Sequence, residues 1–483
     1  MIDLTAADVA EATGGRLHAE AGTRVHGPVV VDSRRVEAGS LFVALGGEHV
    51  DGHDFAAAAV GAGATLVLAA REVEGVPTVV VDDVQVALGE LARAVLARVR
   101  AAGDLRVVAV TGSVGKTTTK DLLGQVLRAG RPADAVVVPA GSFNNEIGLP
   151  LTVLQITADT RALVLEMGAD APGNIAYLTR IAPPDVGVVL AVGTAHVGKF
   201  GSVEAIAATK AEMVAGALPG GTVVLNADDQ RVAAMAAGAD GRRVVTFGTI
   251  PSADVRADDV AVDASGRASF TLQGAGAPAR VDLRLVGAHH VSNALAAAAA
   301  ATALGTDLAD VVATLGSASA LSPHRMAVTE RPDGVTVVDD AYNANPDSMR
   351  AALRTLAVMA GRTRRSVAVL GEMLELGDSA RAAHDAIGRL VVRLNVKLLV
   401  VVGEGAYHIH EGAMQEGSWG EESVFVPDLD AARGVLADEL APGDVVLVKS
   451  SLGAGLWRLG DELAAGTPAT SQAGPQVTGE VAP

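Results

Sequence analysis

At 483 residues, with 49% apolar side chains and few aromatics, the chain is too long for one hydrophobic core and is expected to form about three aliphatic domains. A formal charge of −18 argues against a nucleic-acid partner, whose phosphates need surplus Lys and Arg, and the absence of cysteine excludes disulfides, thiolate zinc sites and a Cys nucleophile. The opening MIDLTAADVAEATGG lacks a basic-then-apolar signal profile, and the longest apolar run, Ala294 to Leu304, is too short to span a bilayer, so a cytoplasmic enzyme without membrane insertion is expected.

In chain order, the first region mixes short strand-like runs (LFVAL at 41–45, ATLVLA at 64–69, TVVVD at 78–82) with Ala-rich helical stretches. A helix from Val86 to Arg100 then runs into AAGD, a linker-like stretch. The second region alternates apolar strands (106–110, 162–166, 186–192, 222–226, 242–247) with amphipathic helices, the pattern of a parallel sheet covered on both faces. Alternation from Ala253 to Val286 predicts antiparallel β at its margin. After SALSPHR the βα rhythm resumes, with strands at 335–339, 366–370, 398–402 and 444–449. The fold class expected is α/β in three domains, 1–103, 104–318 and 319–465, followed by a disordered tail at 466–483.

The strongest local signal is VVAVTGSVGKTTTK. A strand ends at Val110, a glycine-containing turn follows, and Lys116 opens a helix. Backbone N–H groups of Gly112, Ser113, Val114 and Gly115, with the helix N-terminus, suit a polyphosphate. Lys116 can reach its β and γ phosphates, and the hydroxyl of Thr117 can hold Mg²⁺, with Thr118 beside it. Val110 stands where the strict pattern has its first glycine.

Parallel-sheet enzymes bind ligands at the carboxyl ends of strands, where Glu166, His196 and Asn226 fall. Glu166 and His196 are candidates for a second Mg²⁺. The amide of Asn293, near a helix start, offers the donor–acceptor pair that adenine needs, although a capping role competes equally. Asp340 ends the strand VTVVD and can accept from ribose hydroxyls. Arg325, at the junction of the second and third regions, is placed for a domain closure to bring it to phosphate.

TGSVGKTTTK, SFNNEIGLPLTVL, LEMGA, GTAHVGKFGSVEAIAATKAEM, NADD, DDAYNANPDSMRAAL and LGEMLELG occur in that order, and together they resemble the Mur ligases of peptidoglycan synthesis. The resemblance covers about Asp32 to Lys449 and is strongest to the branch that joins D-alanyl-D-alanine to UDP-N-acetylmuramoyl-tripeptide. It implies a UDP-sugar-binding N-terminal domain, a central ATP-binding domain with a P-loop-type parallel sheet, and a Rossmann-like C-terminal domain that closes over ATP. It assigns Lys116 and its neighbours to phosphate, Thr117, Glu166 and His196 to magnesium, and Asn293, Arg325 and Asp340 to the nucleotide. Lys210 matches a lysine that the family carbamylates, which makes it a further metal ligand. Ser33 and Arg34 fall to the uridine end, and Asn144, Asn145, Asn343 and Asn345 to the amino-acid substrates; turn roles compete for these asparagines. The implied partners are ATP, Mg²⁺ and the two substrates, with a monomeric enzyme.

Two positions depart from the family pattern. His290 stands where relatives commonly have Asn, and Lys449–Ser450–Ser451–Leu452 replaces a Lys-Gly-Ser-Arg type turn. The alternatives are a related ligase that adds a diamino acid and, from another class, an ATP-switched binding protein. The Asp-Asn-Pro-Arg motif of diaminopimelate-adding relatives is absent from the sequence.

Overall fold

The long apolar runs become strands buried on both faces, which is what a helix-covered parallel sheet demands of its sequence. The computed structural model describes residues 2–47, 50–194, 197–417 and 423–466, and holds three main sheets and a two-stranded ribbon. The expected tail at 466–483 lies, beyond Gly466, outside the described residues.

The central sheet has nine strands in the order 279–286, 267–273, 255–262, 243–248, 222–226, 186–189, 106–111, 162–166, 136–137. Every pairing from 136–137 across to 255–262 is parallel. Strand Arg106–Thr111 is where the order reverses: the chain next builds 136–137 and 162–166 on one side, then 186–189 and 222–226 on the other. A crevice for ligand opens outside the carboxyl end of such a strand. The phosphate-loop sequence stands there. Behind it, Ala294 to Ala301 are buried in helix His290–Ala303, which packs on the loop's own helix, Lys116–Arg128.

A five-stranded sheet (16–18, 78–80, 66–69, 41–43, 29–30) forms the N-terminal part. Helix Val84–Ala102 begins with Asp83 accepting from the Val86 N–H at 2.9 Å, and so runs longer than the expected 86–100. It packs on helix Ala6–Thr13 and also on helices Gly148–Val153 and Asn174–Ile181 of the central part. One helix therefore serves both sheets, and the two parts share a single unit and a common apolar core.

That first unit ends at Ser322; residues 262–267, 285–288 and those from Pro323 onward form the second. The second unit carries a six-stranded sheet in the order 327–330, 336–339, 445–449, 366–370, 398–402, 423–426. Only the 327–330 edge is antiparallel. Its helices Ala380–Arg393 and Tyr407–Glu416 cross backbone to backbone. A Cβ on Gly388 would lie 2.0 Å from the Ile409 carbonyl oxygen, and one on Gly412 would lie 2.2 Å from that of Asp385.

Overpacking of this kind costs about 1–3 kcal/mol. Gly388→Ala is therefore expected to lower the thermal midpoint by several degrees without altering the phosphate loop of the other unit. A thermal melt of the full chain checks it, and an unchanged midpoint refutes the tight crossing.

Candidate active site

The strand Arg106–Thr111 delivers the chain into Gly112–Gly115, and Lys116 begins the helix. Gly115 is left-handed, with φ +84°, and a Cβ there would sit 2.4 Å from Oδ1 of Asn293. Glycine is thus required twice, by backbone sterics and by the Asn293 side chain. The Lys116 ammonium donates to the Gly112 carbonyl at 2.8 Å, which holds a positive charge across the loop. On the far side, Ser113 N–H donates to Ala191 O and its hydroxyl accepts from Gly193 N–H, each at 2.9 Å.

Glu166 ends strand Ala162–Glu166, beside the loop strand. It is 1% exposed. Its Oε2 accepts from the Thr117 hydroxyl at 2.9 Å, and its Oε1 accepts from the Ser142 hydroxyl and the Asn144 amide, each at 2.7 Å. Thr117, Glu166 and Asn144 are therefore brought together, with Ser142 as a member that the sequence reading missed. The signal was available: Ser142 lies in the same SFNN stretch, two residues before Asn144. The hydroxyl of Thr117 and the carboxylate of Glu166 form an all-oxygen donor pair at the loop, which fits a hard cation such as Mg²⁺.

Lys210 lies in helix Val203–Gly216, whose start is capped by Ser202. It is 4% exposed. Burial, and then the neighbouring Lys116 charge, push its amine down to about 7. His196 lies outside the described residues.

Asn293 is not a cap. It sits one turn inside helix His290–Ala303, where its amide donates to His290 Nδ1 at 3.2 Å and its oxygen faces Gly115. Asn226 is structural, donating to Leu190 O at 2.7 Å and accepting from Asp228 N–H at 2.9 Å across the strand ends. Asn145 accepts from Gly148 N–H at 2.8 Å and so opens the helix that follows. In the N-terminal part, Ser33 and Arg34 lie in a short 3-10 turn that Asp32 caps, with Arg34 exposed and forked onto the Asp32 carboxylate.

The second unit gathers another set at its sheet's carboxyl edge. Asp340 Oδ1 accepts from Met326 N–H at 3.1 Å, and Oδ2 is ion-paired with buried Lys449. Lys449 also donates to Asn343 O at 2.9 Å. Both Asp340 oxygens are engaged, yet each keeps a second lone pair for a ribose hydroxyl. The Arg325 guanidinium lies 4.2 Å from the Tyr342 ring centroid, a stacking that the sequence did not announce. Asn343 is exposed, whereas Asn345 is buried as the cap of helix Pro346–Ala360, accepting from Ser348 N–H at 2.9 Å. For Asn345 the competing turn-type role is the one seen.

A phosphate loop at the reversal point of a parallel sheet, with a buried carboxylate on its threonine, defines a nucleotide-dependent α/β enzyme. Three segments match family descriptions: residues 24–96 "Mur ligase family, catalytic domain", 110–301 "Mur ligase middle domain", and 324–452 "Mur ligase, glutamate ligase domain". The chain belongs to the Mur ligase family. It is 50% identical to the UDP-N-acetylmuramoyl-tripeptide–D-alanyl-D-alanine ligase of Mycobacterium tuberculosis (strain ATCC 25618 / H37Rv), over 96% of this chain and 98% of the relative. Among solved structures it resembles MurF from Acinetobacter baumannii, with TM-score 0.85, 31% identity, and 96% and 99% of the two chains covered. It also resembles MurF ligase from Thermotoga maritima in complex with ADP, with TM-score 0.76, 30% identity, and 91% and 97% covered.

Gly115→Ala forces a side chain onto a left-handed backbone and into Asn293. ATP affinity is expected to fall at least about 10-fold, the scale of one displaced loop contact. An equilibrium titration with ATP measures it, and wild-type affinity refutes this account of the loop.

Proposed function

We propose that the chain joins D-alanyl-D-alanine to UDP-N-acetylmuramoyl-tripeptide, converting ATP to ADP and phosphate, as a cytoplasmic monomer. The 50% identity to a ligase of that name, over nearly the whole chain, supports the reading. The arrangement at Glu166 carries it chemically: a nucleotide loop whose threonine is tied to a buried carboxylate that is tied in turn to Asn144. The domain roles follow, with 1–103 holding the UDP-sugar, 104–318 the nucleotide, and 319–465 closing on it.

A carboxylate is too poor an electrophile to condense with an amine in water. In the proposed first step the tripeptide carboxylate oxygen bonds to the γ-phosphorus of ATP, the bond to the β-phosphate oxygen breaks, and ADP leaves. In the second, the dipeptide amine bonds to the acyl carbon, the acyl–oxygen bond breaks, phosphate leaves, and the amine gives up a proton. The first step sets anion against anion, so Lys116 and the helix N-terminus supply the opposing field. Thr117 and Glu166, with His196 and a carbamylated Lys210, would hold Mg²⁺, which would supply charge neutralisation on the phosphates. Asn293 orients adenine, Asp340 the ribose, and Arg325 reaches phosphate. Asn144 and exposed Asn343 face the amino-acid substrates.

The decisive assay combines ATP, Mg²⁺, UDP-muramoyl-tripeptide and D-Ala-D-Ala and weighs the product. The pentapeptide mass is expected. Product formed from UDP-muramoyl-dipeptide and a diamino acid, with none from D-Ala-D-Ala, assigns the chain to the other branch.

The Lys210 reading has its own test. A carbamate forms from the neutral amine, and an amine at about 7 is mostly neutral above that pH and mostly protonated below it. Enzyme stripped of CO₂ is expected to lose activity and to regain it with bicarbonate. The regain should fade as pH drops through about 7. Lys210→Ala should be inactive and insensitive to bicarbonate; full activity in that variant removes the carbamate.

A further inference from the structure

Helix Lys116–Arg128 does more than end the phosphate loop. Its second turn carries Lys120, 0% exposed, whose ammonium donates to Asp121 Oδ1 at 2.5 Å and to Pro139 O at 2.8 Å. The other Asp121 oxygen accepts from the Ser322 hydroxyl at 2.6 Å and from the Ser322 N–H at 3.2 Å. One turn further on, and on the same face, Gln125 exchanges two hydrogen bonds with the Ser319 backbone, each 3.1 Å. Residues 319–322 are thus fastened along the helix that begins at Lys116.

A buried ion pair is an expensive way to stabilise a core, since apolar residues of like size often do as well or better. Its value lies in what it fixes. Here it fixes three segments to one point: the nucleotide helix, Pro139 just ahead of the Ser142–Asn144 stretch that holds Glu166, and Ser322, the last residue of the first unit. Arg325 follows three residues later, behind Pro323, whose ring fixes its own φ. Three residues of chain reach at most about 11 Å. Anchoring Ser322 therefore restricts where Arg325 can be delivered.

We propose that Asp121 is a positioning residue of the ligase reaction, held by Lys120 and acting through Ser322 on Arg325. The proposal rests on the reading that Arg325 meets nucleotide phosphate, and the test separates the two. Ser322→Ala removes one donor and leaves the Lys120–Asp121 pair intact, so the fold survives even where Asp121→Asn does not. It is expected to lower kcat about 10-fold, the scale of a misplaced catalytic group, with KM for D-Ala-D-Ala and the thermal midpoint unchanged. Arg325→Ala alone should cost more. In the double variant, Ser322→Ala should have no further effect, because the group it positions is gone. An equal loss from Ser322→Ala with and without Arg325 overturns the coupling while leaving the Arg325 reading in place. Full turnover in Ser322→Ala, or a loss matched by a lower thermal midpoint alone, overturns it as well. Full turnover in Arg325→Ala overturns both.

Discussion

Glu166 is an acidic side chain kept inside the protein, one hydrogen bond from the helix that Lys116 opens. Three neutral donors, Thr117, Ser142 and Asn144, hold it. A nucleotide bound at this loop would add negative charge at the same place, which a low-dielectric pocket cannot tolerate without compensation. Most of the surrounding arrangement answers that demand. Lys116 spans the loop, the helix N-terminus faces it, and an all-oxygen donor pair is ready for a hard cation. Lys210 is also buried: burial, and then the Lys116 charge, bring its amine down to about 7, so near neutrality it adds less than a full positive charge.

Much of this was legible in the sequence because burial on both faces leaves long apolar runs. Strands 106–111, 162–166, 222–226, 366–370, 398–402 and 445–449 stand within a residue of where their runs predict. Short edge strands were not legible. Val136–Val137 and Ser423–Val426 have too few residues to show a period, and pairing with a neighbour decides their conformation. The glycine-lysine-threonine turn named its own site, since a strand, a turn and a helix lie contiguously there. Tyr342 with Arg325, and the Lys120–Asp121 pair with Pro139 and Ser322, meet between separate stretches of chain, and spacing along one sequence carries no sign of such pairing. Asn345 shows a second kind of ambiguity. Its motif suggested a ligand, while the Pro at the next position and Ser348 three residues on make it a helix cap.

The departure at 449–452 has a physical account in the second unit. Ser450 is buried against Gly371, where a Cβ would come within 2.9 Å of the serine's own Cβ, so the larger residue is met by the smallest one opposite. Ser451 accepts from Leu374 N–H at 3.0 Å, and its own N–H donates to Glu372 O at 3.0 Å. The two serines stitch the strand end to the loop after 366–370, beside the Lys449–Asp340 pair. Ser450 and Ser451 therefore tie the carboxyl edge together at this turn.

The alanine-filled helix behind the phosphate loop has a mechanical consequence. Alanine loses no rotamer freedom on burial, so this contact forms without the ordering cost that leucine or methionine would bring. It also has no rotamer to change afterwards. A longer side chain can swing to accommodate a displaced neighbour, but a helix whose buried residues include Ala294 and Ala296 to Ala301 yields mainly by moving backbone. The support for helix Lys116–Arg128 is consequently stiff, and strain arriving at the loop is passed along the helix instead of being dissipated where it lands.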